Sequence, residues 1–170
     1  MVSSPDSTEV IRVSRHDTTG RRQFHVDVAG EPARAQGVRR QVPVRALHSE
    51  VAPVRQLGAG VVRMPAGHHT KPHVHPRSEI VVHVCSGVAA SLCGPELRPV
   101  PHRPGSVVWM PPGLPHVAVN LDDTDDLVAF EVRADPTFER DTTLCPDLDR
   151  PAEERVRRLR HDHPAAGRHR

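Results

Sequence analysis

"GSVVWMPPGLPHVAVN" spans residues 105 to 120. Its first part, "SVVWM", is apolar and β-branched and favours extended backbone. Pro111, Pro112 and Gly113 then interrupt it. Proline fixes φ and glycine accepts positive φ, so the interruption is a stiff turn. A second β-type run begins near His116. The stretch reads as a hairpin whose rigid turn can hold one side chain in place.

Runs of the same kind lie on both sides. "VPVRAL", "VRQLGAGVVRM", "EIVVHVC" and "VAASLCG" precede it and "LVAFEVR" follows, with "PAG", "CSG", "HRPG" and "LDDTDD" as punctuation. Short β-rich runs at even spacing predict an all-β, antiparallel barrel or sandwich. We place this domain at residues 41–136, with an N-terminal extension over 1–40 and a C-terminal extension over 137–170. In the first extension "RQFHVDVAG" (22–30) reads as a short strand. In the second, "RPAEERVRRLR" (150–160) reads as a helix, since acids first and arginines later complement a helix dipole. Its only apolar residues are Val156, Leu159 and one alanine, so weak packing is expected. His161, His163 and His169 read as part of a solvated tail.

A chain of 170 residues can build a core without a disulfide or a structural metal. Any metal would therefore serve function. A net charge of +2, with both signs interspersed, gives no case for nucleic acid or membrane partners. Cys85, Cys93 and Cys145 are an odd, unclustered set, which fits a reduced, cytoplasmic protein. Neither a signal peptide nor an apolar run of about 20 residues is visible. The chain has no tyrosine, which removes that residue as an acid or base.

Five of the thirteen histidines fall in "HHTKPHVHPRSEIVVHVCSG", residues 68 to 87. On a strand, His73 and His75 share one face, about 7 Å apart at Cα. Glu79 follows across a turn-forming "PRS", and His116 after the Pro-Pro-Gly turn is the candidate for a further ligand. His68, His69 and His83 read as loop or strand histidines. Cys85 reads as an interior residue, and Trp109 and Met110 as wall or core. Asn120 reads as a structural hydrogen bonder. Arg63 and Arg133 read as exposed strand residues or as anchors for an acidic group at the barrel mouth.

These residues resemble the two motifs of the cupin superfamily. Gly67, His73, His75, Glu79 and Gly87 match the first motif, and Gly105, Pro111, Gly113, His116 and Asn120 match the second with every spacing met. The resemblance covers roughly residues 45 to 135 and implies a jelly-roll barrel holding a metal on His73, His75, Glu79 and His116. One spacing departs from the pattern: seven residues, not six, separate Glu79 from Gly87. Counted back from Gly87, Ile80 fills the ligand slot, and Val82 and Val84 then face inward in place of Val81, His83 and Cys85. Glu79 is retained here as a ligand, or as a general base if it does not bind the metal.

Three imidazoles, with or without a carboxylate, suit one divalent transition metal among Fe, Mn, Ni, Co, Cu and Zn. The resemblance implies an enzyme acting on a small organic molecule, first a dioxygenase, then a non-redox polyketide cyclase or isomerase. A non-catalytic ligand-binding or sensing module is the alternative from another class. Cupins often associate, so a homodimer using residues 22–45 is expected.

Overall fold

The computed structural model describes residues 42–163. Ten strands run in chain order: β1 Val42–Leu47, β2 Gly58–Met64, β3 His73–Val74, β4 Ile80–Ser86, β5 Ala89–Cys93, β6 Arg98–His102, β7 Val107–Met110, β8 His116–Asn120, β9 Leu127–Arg133 and β10 Thr143–Leu144. A short 3-10 turn, Pro146–Leu148, leads into helix α1, Asp149–Asp162. The strand segment 22–30 predicted from the sequence, and all of the expected homodimer arm 22–45 except its last residues in β1, lie outside the described residues.

The strands form two five-stranded sheets, ordered β1-β2-β9-β4-β7 and β10-β3-β8-β5-β6. Every pairing is antiparallel. The sheets stack as the jelly roll expected from the sequence. The period of two decides what each strand buries. On β4, Ile80, Val82 and Val84 face the interior, and Val81, His83 and Cys85 face out. On β9, Leu127, Ala129, Glu131 and Arg133 face in and Phe130 faces out.

Two glycines are required where they stand. Gly87 sits at φ 88°, and a Cβ there would meet the Leu127 Cα at 2.9 Å. Gly113 sits at φ 77° in the turn before β8, and its N–H donates to the His75 carbonyl at 2.8 Å. That bond ties the His116 turn to the His73–His75 strand.

The C-terminal helix corrects the expectation of weak packing. Ala152, Val156 and Leu159 recur at i, i+4 and i+7, so they share one helix face. They join Leu92, Val117 and Val119 in one buried cluster. Arg160 adds hydrogen bonds to the His68 and Asn120 carbonyls. Among the described residues no helix is long and apolar enough to cross a membrane. Cys85, Cys93 and Cys145 are all free thiols, and Cys85 is exposed rather than interior, because β4 turns its odd-numbered residues outward.

Candidate metal centre

His73 opens β3 directly opposite His116, the first residue of β8. His75 lies two residues further, on the same face as His73. The three imidazoles are 2%, 3% and 5% exposed for His73, His75 and His116. One ring nitrogen of each lies within 4.8 Å of the others.

Their orientation follows from what the other nitrogen does. Nδ1 of His73 bonds the Lys71 carbonyl at 2.8 Å, and Nδ1 of His116 bonds the Leu114 carbonyl at 3.0 Å. Nδ1 of His75 bonds the Asp141 carbonyl at 2.6 Å. A carbonyl only accepts, so each Nδ1 carries the proton, and in the neutral ring Nε2 is the nitrogen that bears the lone pair. Carbonyl partners of this kind orient metal-binding histidines and raise their basicity.

Nε2 of His75 is buried and has no hydrogen-bond partner. A buried acceptor left unmade costs about 1–3 kcal/mol. Burial first, then the Arg133 and His116 charges, lower the His75 pKa to about 4. His75 is therefore neutral at pH 7, the form a metal requires. An unpartnered lone pair among two other imidazoles fits a bound cation, and the donor set suits a first-row divalent ion.

Glu79 does not join them. It is exposed, and its Oε2 accepts a hydrogen bond from Trp109 Nε1 at 3.0 Å. Ile80, 2% exposed, lines the cavity with the three histidines. The frame counted back from Gly87 is the one the backbone follows. The extra residue is absorbed by a register shift between Val84 and Ser86, beyond the residues that face the site. A bulge there leaves Glu79 on the outward side of the pleat. Trp109 is likewise a surface residue, 60% exposed, whereas Met110 is buried in the wall.

The carboxylate inside the barrel is Glu131. It is 6% exposed, lines the same cavity, and forms an ion pair with Arg133, which is 3% exposed. Arg133 is anchored by the Phe138 carbonyl at 2.9 Å and lies over the Phe138 ring at 4.5 Å. Arg63 is half-buried on the other side of its strand. The signal for Glu131 was present in "LVAFEVR", where Glu131 and Arg133 share parity with the apolar Leu127 and Ala129. At the side formed by β5 and β6, His102 Nε2 and Ser91 Oγ are hydrogen-bonded at 2.9 Å, and burial lowers the His102 pKa. The cavity has a volume of about 60 Å³, room for a few waters or a small ligand.

The remaining candidates are structural. Asn120 is fully buried and donates to the Met64, Pro65 and Asp125 carbonyls while accepting from Asp122 N–H. His69 is buried against Glu153 of α1 at 3.3 Å, and His68 and His83 are exposed. Sequence reasoning missed Asp141. Its carboxylate accepts the Arg77 and Ser78 N–H groups at 2.9 and 2.7 Å, and its carbonyl orients His75.

The family model for the cupin domain matches residues 60–133. The chain carries a cupin domain. Among solved structures, the chain is similar to the cupin domain of Cnp3 from Schizosaccharomyces pombe, at 16% identity and TM-score 0.54, over 70% of this chain and 80% of that one. It is similar to a conserved double-stranded β-helix protein from Klebsiella pneumoniae, at 22% identity and TM-score 0.50, over 61% of this chain and 84% of that one. It is also similar to oxalate decarboxylase, at 19% identity and TM-score 0.55, over 67% of this chain but 29% of that one. At these identities the likeness is one of fold. No curated protein matches the chain in sequence.

Proposed function

We propose that this cupin holds one divalent transition metal on His73, His75 and His116 and acts on a small organic molecule, as a dioxygenase-type oxidoreductase. The observation that carries the reading is the buried, unpartnered Nε2 of His75, set among two other imidazoles whose Nδ1 atoms are already committed. A metal bound there would supply Lewis acidity and coordination positions open to substrate and oxygen. The chain supplies the rest. Ile80 and Met110 wall the cavity and keep water from the reacting atoms. Glu131 faces the same space and is the group placed to take a proton from substrate; Arg133, fixed by Phe138, holds its carboxylate in position. The catalytic role first given to Glu79 passes to Glu131.

Glu131 also favours a second reading, a non-redox cyclase or isomerase, in which a buried carboxylate moves a substrate proton and no oxygen is used. The test is metal analysis of protein purified without a histidine tag, followed by oxygen-uptake and anaerobic product assays on small candidate substrates. Metal-dependent oxygen consumption supports the first reading, and anaerobic turnover the second. Ligand binding without turnover would make the domain a sensing module. Full metal occupancy in the His73→Ala, His116→Ala double variant would refute the site.

A further inference from the structure

The outer faces of the two sheets are finished differently. On the β5–β8 side, α1 seals Leu92, Val117 and Val119. On the other sheet the outward residues stay open. Val81 lies between Val132 and Trp109 in the cross-strand register, and His83 lies between Phe130 and Val107. Trp109 is 60%, Val107 68%, Phe130 40% and Val81 39% exposed. The indole N–H of Trp109 is taken up by Glu79, so what remains outward is the apolar body of the ring. With His83 among them, Val81, Val132, Trp109, Phe130 and Val107 make a mostly apolar patch over β9, β4 and β7, of the kind that marks an interaction surface.

We propose that residues 22–28 of the same chain cover this patch. In "RQFHVDV", Phe24, Val26 and Val28 alternate with His25 and Asp27, the pattern of a strand with one apolar face. This segment leads into β1, the edge strand of the sheet in question. The fourteen residue steps from Val28 to Val42 can span up to about 46 Å. The far side of the patch lies about 19 Å from β1, four strand spacings away. The chain already closes the opposite face with its other extension, α1. A second copy is the competing occupant, but the patch is only three strands wide, two spacings of about 4.8 Å. A stable dimer needs about 800 Å² per partner.

Trp109 is the chain's single tryptophan, so its fluorescence reports on this patch alone. The experiment uses the full-length protein and a full-length Phe24→Asp, Val26→Asp double variant, with far-UV circular dichroism to confirm that both are folded. In the wild type the emission should be blue-shifted from that of the urea-unfolded chain, and acrylamide quenching weak and independent of protein concentration. In the double variant the emission should move to the red and the quenching constant rise severalfold. A wild-type emission already matching the unfolded chain overturns the proposal. Protection that survives the double variant also overturns it, and if that protection fades on dilution the occupant is a second copy.

Discussion

Replacing Asp141 with alanine should loosen the loop that carries His75, and the size of the effect can be worked out. The carboxylate accepts two main-chain donors, Arg77 N–H at 2.9 Å and Ser78 N–H at 2.7 Å, and Ser78 is buried. A hydrogen bond to a charged group is worth about 1.5–3 kcal/mol. The third contact, from Arg77 Nε at 3.3 Å, involves a side chain 82% exposed and adds little. Asp141→Ala should therefore cost about 3 kcal/mol and lower the urea midpoint by about 1–2 M. Asp141→Asn keeps an acceptor oxygen without the charge and should lose about half as much. Burial opposes ionisation of Asp141, but the hydrogen bonds from Ser78 and Arg77, with the Arg77 charge, outweigh it and hold its pKa below the usual carboxylate range. The sign follows: the contribution is complete above the unfolded-state pKa and is lost as pH falls through the lower folded-state value. Urea titrations of wild type and Asp141→Asn should then differ at pH 7 and converge in acid. An unchanged midpoint for Asp141→Ala at pH 7, or a gap constant down to pH 3, would refute the reasoning.

The other expectations concern the site and its frame. His116→Ala should remove most of the bound metal in elemental analysis, since two imidazoles cannot match three. Glu79→Gln should leave metal content unchanged within error while altering Trp109 fluorescence, because its partner is the indole N–H. Gly87→Ala should lower stability by about 2–3 kcal/mol in urea unfolding, from positive φ combined with a clash against the Leu127 backbone.

The strands were readable because Val-rich runs alternate and Gly and Pro stop them, and both signals are local. The three histidines were readable because a hairpin and an i, i+2 pair are also local devices. The orientation of Glu79 was not, since it depends on where β4 takes up its extra residue, and pairing with β9 decides that. Glu131 was passed over for a related reason: its parity with Leu127 and Ala129 marks it as inward, but a carboxylate inside a barrel is tolerable only beside Arg133, so the two had to be read as a pair. Asp141 acts on residues more than sixty positions away, beyond any periodicity. The helix was underrated because three small apolar residues count for little until the sheet beneath them supplies Leu92, Val117 and Val119.

The three histidines are aimed by partners at very different distances along the chain. His73 and His116 each bond a carbonyl two residues back, so those rings are aimed as soon as their own strand ends form. His75 takes its direction from Asp141, sixty-six residues on. During synthesis on a ribosome, two-thirds of the donor set is thus in place before the third can be, and the centre is completed only after residue 141 has emerged. A chain cut between β9 and Asp141 would keep both sheets' inner strands and all three histidines, yet would lack the carbonyl that bonds His75 Nδ1.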